Sequence, residues 1–368
     1  MHNVNSIDVV IPSFRLNEEI LLGIFDVDHP VGFTINFYVV ADNPGLKVPA
    51  SIVELSEKGL IILVVNQVNL GFAQTRNKGI MMGKGKWLLL LDDDIVPDKH
   101  LLTAYADAIA EHRDAIGFAG VTNFPETFNS ATRAMELHGL TGHFKAAKTH
   151  KKLMWVPTAN VMLNRDKMDP ALFNESLNKG GEDIEFLVRN VNLFGEQYIS
   201  VPLASVTHPW WDNGAIQTER QFRYGVGAAQ IAATPTISPY TYHDFTNTVE
   251  TLLLLLLASP FIILNCSLYS FFLICLIFVG AEFLTNATKA IFKTSGFSLG
   301  LIINLFWLKN CYEAGYLYES IRSGRWSGFA ERIEMGFVKK NPSWFRLNKW
   351  KIIKTCLIII GLLLATIV

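Results

Sequence analysis

The sequence predicts an α/β fold: a mostly parallel sheet flanked by helices, followed by a helical membrane region near the C-terminus. Two observations support this prediction. Short apolar runs alternate with helical segments through the first 245 residues, as in sheets that are covered on both faces. Residues 249–284 and 352–368 are nearly free of charge and are long enough, or nearly so, for membrane helices.

The strands of the predicted sheet are short apolar runs, each followed by polar residues. They cover residues 7–12, 35–41, 60–65 and 87–91, while helical segments cover 17–25 and 71–84. The polar residues at the strand ends are Ser13, Asp42, Asn66 and the aspartates at 92–94. Because ligands of such sheets bind beyond the carboxyl ends of the strands, we expect these residues to line one crevice.

Three consecutive aspartates, Asp92, Asp93 and Asp94, follow the last of these strands in LLLLDDDIVP. Adjacent carboxylates repel one another and lose hydration when they are buried, so the arrangement favours a bound cation. Hard oxygen ligands suit Mg²⁺ or Mn²⁺. The alternative is an N-terminal cap for a following helix, although a cap needs fewer than three aspartates.

Composition excludes several classes of protein. A net charge of −1 and a pI near 6.8 give no electrostatic case for binding nucleic acid. The four cysteines all follow residue 265, which argues against a disulfide framework or a cysteine zinc site. The N-terminal MHNVNSIDVV lacks the basic start and apolar run of a signal peptide, so we expect residues 1–245 to be a cytoplasmic domain.

The membrane region is predicted to occupy residues 246–284 and 352–368. Residues 249–284 carry two charges, Glu250 and Glu282, and one helix of that length would measure about 54 Å, against roughly 30 Å of hydrocarbon. Two helices with a turn near Asn265 fit better, and one long helix kinked at Pro260 is the alternative.

The intervening residues 285–351 are predicted to be cytoplasmic or interfacial. Residues 285–354 carry twelve Lys or Arg residues, which places this segment on the cytoplasmic side by the positive-inside rule. Residues 297–308 are too short to span a membrane and suggest an interfacial helix, with a buried core helix as the alternative. We therefore expect an integral protein of the plasma or inner membrane.

The strand-end motifs resemble those of a known family. VVIPSF, VADN, NLGFAQTRNKGI, LLLLDDDIVP and GGEDIEF occur in the order found in family 2 glycosyltransferases of GT-A fold, a Rossmann-like architecture. The resemblance covers roughly residues 6–225. It implies a membrane-bound enzyme that moves a sugar from a nucleotide donor to a lipid-linked or cell-surface glycan acceptor.

The resemblance also assigns residues to the donor. It implies that Asp94 binds Mn²⁺ or Mg²⁺, that Asp92 holds the ribose or a metal-bound water, and that Asp93 lies beside the nucleotide sugar. Further donor contacts are implied for the first turn and for the motif before the aspartates, namely Pro12, Ser13, Phe14, Asn69, Gly71 and Arg76. For Arg76, bracing the aspartates is the alternative to supporting the diphosphate. Asp42 resembles the residue that reads the base, usually uracil, although the family more often has two adjacent acids there.

The acceptor side is assigned through GGEDIEF. The resemblance makes Asp183 the general base for an inverting transfer, with Glu182 beside it. A base is needed by a hydroxyl acceptor but not by a phosphate, so this motif favours a hydroxyl. The alternative is an ordinary helix N-terminus whose acids complement the helix dipole.

Two later motifs are less decisive. His208, in VTHPWWDNG, resembles a metal ligand seen in some relatives, and a purely structural histidine is the alternative. Trp210 and Trp211 suit either stacking on a sugar or anchoring at the membrane interface. Arg220 and Arg223 are candidates for contacts with the diphosphate or with lipid phosphates. Gln221 stands where processive synthases carry tryptophan, which argues against a polymerase.

Two other functions stay open. One is a polyprenyl-phosphate glycosyltransferase of the dolichol-phosphate mannosyl type, in which Asp183 would be dispensable. The other is a non-catalytic membrane scaffold built on a decayed transferase domain, against which the DDD and GGED motifs argue.

Overall fold

The first half of the chain is built on one mixed β-sheet. The computed structural model describes residues 5–341 and 345–365, and within them this sheet has nine strands. They are β1 (Ser6–Ser13), β2 (Thr34–Ala41), β3 (Ile62–Val65), β4 (Trp87–Leu91), β5 (Val96–Pro97), β6 (Gly117–Asn123), β7 (Lys152–Leu153), β8 (Asn160–Asn164) and β9 (Tyr198–Thr207).

Helices make up most of the remaining structure. They are α1 (Glu18–Phe25), α2 (Ala50–Glu57), α3 (Gly71–Met82), α4 (Leu101–Glu111), α5 (Ser130–His138), α6 (Glu182–Phe194), α7 (Thr218–Ala232), α8 (Thr248–Asn265), α9 (Leu268–Thr294), α10 (Leu299–Arg322) and α11 (Lys349–Ala365). Short 3-10 helices cover His143–Lys148, Arg165–Lys167, Trp211–Gly214, Ser238–Tyr240 and Trp326–Gly328. A hairpin pairs β10 (Thr241–His243) with β11 (Glu331–Ile333).

The sheet order explains where polar residues collect. Strands β3, β2, β1 and β4 are adjacent and parallel, so their carboxyl ends share one edge. Beyond β4 the strand order is β8, β6, β9 and β5, and β8 is antiparallel to both β4 and β6. The residues of β4 are buried, as expected for a central strand covered on both faces. The predicted α/β fold with a mostly parallel sheet flanked by helices is confirmed.

The chain divides into two compact units. The first contains residues 1–126 and 141–210, and the second contains residues 127–140 and 211–368. The sequence places a boundary at residue 245 from composition, whereas the units follow packing and divide after Trp210. Residues 1–4, 342–344 and 366–368 lie outside the described residues, and the last three belong to the predicted C-terminal membrane segment.

The second unit contains the apolar helices. The run at 249–284 is divided between α8, which includes Pro260, and α9, which begins at Leu268 and continues to Thr294. Both helices are long and apolar enough to cross a membrane. Residues 299–308, from the segment predicted as a short interfacial helix, lie in the longer α10, where Leu301, Ile302, Leu305 and Leu308 are buried. The interfacial location of this segment stays a prediction.

Two glycines allow α7 and α10 to pack closely. A Cβ atom added at Gly225 would lie 2.1 Å from the carbonyl oxygen of Tyr312, and one added at Gly315 would lie 2.0 Å from that of Phe222. Both obstacles are backbone atoms, which cannot rotate away. The contact therefore requires a residue without a side chain on each helix.

Gly315→Ala is expected to destabilise the protein by about 1–3 kcal/mol, because the new methyl group forces the two helices apart. The measurement is the thermal unfolding midpoint of the purified full chain in detergent. Gly280→Ala is the matched control, since a Cβ atom on this α9 glycine meets nothing within 4 Å. Equal midpoints for the two variants would contradict the close-packing account.

Candidate active site

The carboxyl edge of the parallel strands brings the predicted residues together. Ser13 ends β1, while Asp42, Asn66 and Asp92 directly follow β2, β3 and β4. Across this edge, the Ser13 hydroxyl donates to Asp93 over 2.9 Å and the Asn66 amide donates to Asp42 over 2.8 Å. These contacts join segments up to 80 residues apart in sequence.

Asp93 holds the turn after β1. Its buried carboxylate accepts hydrogen bonds from the Ser13 hydroxyl and from the backbone N–H groups of Phe14 and Arg15, at 2.9–3.0 Å. It also pairs with the Arg15 guanidinium at 2.5 Å. The side chain of Phe14 is half exposed above this turn. Asp93 therefore positions the turn that contains the predicted donor contacts Pro12, Ser13 and Phe14.

Asp94 faces two cationic or metal-binding side chains. Its Oδ2 lies 3.0 Å from Arg15 Nη2 and 3.2 Å from His208 Nε2. Nδ1 of His208 lies 2.5 Å from the carbonyl oxygen of Pro209, which can only accept, so Nδ1 carries a proton. In the neutral histidine, Nε2 then presents its lone pair to Asp94.

The His208 ring is fixed by packing as well as by hydrogen bonding. It stacks on Phe124 with 5.1 Å between ring centroids and is 3 % exposed. Burial lowers the pKa of His208, but the hydrogen bond and charge of Asp94 more than offset this, so the pKa is raised overall. Without a metal ion, the pair is thus stabilised as imidazolium and carboxylate.

Arg76 links the aspartates to the GGED motif. Its Nη2 lies 3.0 Å from Asp92, and its Nη1 lies 2.7 Å from Glu182. The guanidinium is buried, and within the described residues its Nε atom has no hydrogen-bond partner. Burial raises the pKa of Asp92, although the charge of Arg76 opposes the rise. One buried cation therefore couples the two acidic motifs.

Glu182 and Asp183 open helix α6. Gly180 and Gly181 precede them with φ angles of 113° and 91°, a region that favours glycine. Burial raises the pKa of Glu182 to about 8, and the charge of Asp183 adds to the rise. Burial also raises the pKa of Asp183, with Arg76 opposing it.

The two acids differ in their partners. Glu182 is held by Arg76, whereas the Asp183 carboxylate accepts a hydrogen bond of 2.8 Å from the N–H of Ile184. Among residues 5–341 and 345–365, no ion pair is formed by Asp183. Asp183 is therefore the acid whose carboxylate is better placed to take a proton.

Asp42 already has donors inside the protein. It accepts from the Asn66 amide and from the backbone N–H groups of Leu70 and Gly71, at 2.8–2.9 Å. Asn69 also accepts from the Gly71 N–H at 2.8 Å. These bonds satisfy the N-terminus of α3 and hold it against the end of β2. The geometry thus assigns Asp42 a structural function in addition to the predicted reading of a base.

The later motifs divide between the two units. Trp210, in the first unit, is 5 % exposed, packs on Phe124 and donates to the carbonyl oxygen of Pro125 over 3.1 Å, so its ring is not open for stacking on a sugar. In the second unit, the Arg220 guanidinium lies 4.8 Å from the Trp211 ring. Arg223 lies 5.8 Å from the ring of Tyr224.

The sequence did not assign Arg15 a function separate from that of the first turn. Arg15 contacts both Asp93 and Asp94, although its side chain is half exposed. Its position two residues after a strand-end serine was the available signal. Among the described residues, 5–341 and 345–365, no group of three or more His, Cys, Asp or Glu side chains is arranged to hold a metal.

Comparison with known proteins relates this sequence to a protein family. The family model described as Glycosyl transferase family 2 matches residues 9–170. This segment includes the ends of β1 to β4 and the three aspartates. Residues 9–170 match a family 2 glycosyltransferase domain. The chain therefore contains a glycosyltransferase domain over these residues, and its mixed sheet is the predicted GT-A fold.

Solved structures similar to this chain are distant in sequence. One is the mannosyltransferase PcManGT from Pyrobaculum calidifontis in complex with GDP-Man and Mn²⁺, with 14% identity, a TM-score of 0.46, and coverage of 88% of this chain and 76% of that one. Another is TarS 1-349 from S. aureus, with 15% identity, a TM-score of 0.41, and coverage of 93% and 100%. A comparison with curated proteins found no match.

Proposed function

We propose that this glycosyltransferase is a membrane-bound, metal-dependent, inverting enzyme. It transfers a sugar from a nucleoside diphosphate donor, expected to be a UDP-sugar, to a hydroxyl group of a lipid-linked or cell-surface glycan. The observation that carries the proposal is the convergence of Asp92, Asp94, His208, Glu182 and Asp183 at the carboxyl edge of one sheet.

The contact between Asp94 and His208 supports a divalent metal. Two ligands on neighbouring positions of an octahedral ion, each at about 2.1 Å, lie roughly 3 Å apart. The observed 3.2 Å between Oδ2 and Nε2 matches that separation, and the protonated Nδ1 leaves Nε2 as the ligand atom. Mn²⁺ accepts such a mixed set, and bound metal would neutralise charge on the departing diphosphate. Asp92, held by Arg76, is the further candidate ligand.

The remaining donor contacts follow from the strand ends. The exposed Phe14 and the Ser13 turn, held by Asp93, would bind the nucleoside. Arg15 provides a half-exposed guanidinium beside Asp94, suited to a diphosphate oxygen. Arg76 contacts both Asp92 and Glu182, so it would hold the donor side of the site close to the acids on the acceptor side.

Asp183 would act as the base that takes the acceptor proton. Its carboxylate is not paired with a cation among the described residues, and burial raises its pKa toward the range useful for a base. The membrane anchor of the same chain confines the enzyme to the surface of its acceptor and so raises the acceptor's effective concentration. Because segment 285–351 is rich in lysine, the positive-inside rule indicates that the catalytic domain would face the cytoplasm.

The experiment is transfer of labelled sugar from a panel of UDP- and GDP-sugars into lipid extracts of membranes that contain the protein. A chelator is expected to abolish the label. Mild acid is then applied to the product. Label released as an oligosaccharide, or found only in polymer, supports a hydroxyl acceptor, whereas release as a free monosaccharide would identify a sugar phosphodiester and a phosphate acceptor.

The transfer rate is expected to rise with pH along an acidic limb that lies above the ordinary range of a carboxyl group. The base must be deprotonated, and burial raises the pKa of both Glu182 and Asp183 above the ordinary value of about 4. At low pH the pair therefore holds a proton and transfer is slow. The measurement is kcat against pH at saturating donor. Glu182→Gln removes the neighbouring charge and should shift the acidic limb to lower pH, whereas a wild-type limb near pH ~4 would contradict the assignment.

A further inference from the structure

Buried charges join the apolar helices of the second unit at one level. The Glu282 carboxylate, in α9, is 1 % exposed and accepts from the Thr248 hydroxyl at the start of α8 over 3.0 Å. It also pairs with Lys354 of α11 at 2.5 Å and with Lys309 of α10 at 3.1 Å. One carboxylate therefore contacts three other helices.

Two more ion pairs complete this layer. Glu250 of α8 pairs with Arg332 at 2.7 Å, and Lys309 pairs with Glu313 at 2.5 Å. We call this set the charged layer, which consists of Glu250, Glu282, Lys309, Glu313, Arg332 and Lys354. It contains three acids and three cations, so its charges balance. Such a set is costly inside hydrocarbon and is expected at or outside the membrane boundary.

The helices leave the charged layer in a common direction. Phe292 and Trp350 lie 6.2 Å apart on the near side of the layer. On the other side, a Cβ atom at Gly361 would meet Ile277 at 2.7 Å. Helices α9 and α11 are therefore antiparallel, and α8, which joins α9 through a short turn, runs away from the layer packed against α9.

The apolar reach beyond the layer is short. From Leu268 to Ala281, α9 has 14 residues, or about 21 Å. From Thr251 to Asn265, α8 has 15 residues, or about 22 Å. The hydrocarbon core of a bilayer is about 30 Å thick. A hairpin that begins at the charged layer thus ends well before the opposite headgroups.

The outer surface of this hairpin is suited to lipid. Its large apolar side chains are exposed over the whole length beyond the layer, including Leu257, Phe261, Leu264, Phe272 and Leu276. On the near side, the Lys349 ammonium lies 4.3 Å from the Phe292 ring and 4.7 Å from the Trp350 ring. Lysine and tryptophan at one level are typical of a membrane interface.

Several polar groups of the turn between α8 and α9 are paired within the turn and the adjoining helices. The Asn265 amide donates to the carbonyl oxygen of Phe261, the Cys266 N–H to that of Ile262, and the Ser270 N–H to the Ser267 hydroxyl, each at 2.9 Å. The turn carries no charge. Polar groups that are paired internally can enter the bilayer without a large penalty. Tyr269 is exposed nearby, and its hydroxyl can extend toward the far headgroups.

We propose that α8, α9 and α11 form a one-sided anchor. It enters the bilayer from the side of the charged layer, and the turn at residues 265–267 ends in the far leaflet without reaching water. The inference rests on the proposed membrane location, but not on the proposed donor or acceptor.

The test uses the native cysteine at the turn. The wild-type full chain is expressed in bacteria, and a membrane-impermeant maleimide is added to sealed spheroplasts or to inside-out vesicles. Mass spectrometry reads each cysteine separately, so Cys266 is followed without removing the others. Lys340→Cys, at an exposed position in the lysine-rich segment, is the reference for the near side.

The expected result is that Cys266 is labelled from neither side and becomes labelled in detergent, while the thiol introduced by Lys340→Cys is labelled in inside-out vesicles. Labelling of Cys266 in spheroplasts would show a hairpin that spans the membrane, and would overturn the one-sided anchor but leave the membrane location intact. Labelling of Cys266 from the same side as the Lys340→Cys thiol would show that the turn does not enter the bilayer. Recovery of the protein outside the membrane fraction would overturn both proposals.

Discussion

Asp94→Ala is expected to lower sugar transfer by roughly 10²–10³-fold, because the metal that offsets the charge of the leaving diphosphate contributes several kcal/mol. Asp94 lies 3.2 Å from His208 and also faces Arg15. Removal of its carboxylate leaves His208 as a single ligand from this pair. The variant should also lose the metal-dependent part of its affinity for UDP.

The measurements for Asp94→Ala are steady-state transfer and UDP binding, each with Mn²⁺ and with chelator. Asp107→Ala is the matched control, since Asp107 is an exposed aspartate on α4. In the control, both transfer and metal-dependent binding should match the wild-type enzyme. Wild-type rates in Asp94→Ala, with an unchanged response to chelator, would remove Asp94 from the metal site.

The parallel half of the sheet could be predicted from the sequence because each strand is a continuous apolar run that ends at a polar residue. The run predicted at 87–91 is β4, and the one predicted at 35–41 is β2 with one more residue. Burial on both faces selects apolar side chains at every position, so the pattern can be read locally.

The antiparallel strand β8 could not be found in the same way. It begins and ends with Asn160 and Asn164, which are typical of turns in a sequence. In the structure the Asn160 amide donates to the carbonyl oxygen of Ala204 and accepts from the Tyr105 hydroxyl. These partners lie 44 and 55 residues away, and no local pattern indicates them.

The site shows the same division. The order of motifs predicted that the acidic residues would converge, since it follows from strand direction alone. Which aspartate is held by the protein's own hydrogen-bond donors is not specified by any motif. The carboxylate of Asp93 accepts from backbone N–H groups of the turn after β1, and that of Asp42 accepts from N–H groups at the start of α3. Trp210 was expected either to stack on a sugar or to anchor at the membrane interface, but its ring packs on Phe124, which lies more than 80 positions earlier in the sequence.

Asp183→Asn is expected to lower transfer to a hydroxyl acceptor by about 10²–10⁴-fold, the usual contribution of a general base. The amide is nearly the same size and can still accept the hydrogen bond from the Ile184 N–H, so α6 should keep its N-terminus. Donor binding should be unchanged, because Asp183 forms no ion pair with Arg76 within the described residues. The loss should therefore fall on kcat rather than on donor affinity.

Glu219→Gln is the control for Asp183→Asn. Glu219 is an exposed acid in the first turn of α7, so its charge, like that of Asp183 in α6, interacts favourably with the dipole of its helix. If the two variants lost the same small amount of activity, Asp183 would serve only to complement its helix. Wild-type transfer to a phosphate acceptor by Asp183→Asn has a different meaning, because a phosphate is already anionic. That outcome would identify the polyprenyl-phosphate reaction and leave the metal site, tested independently through Asp94, in place.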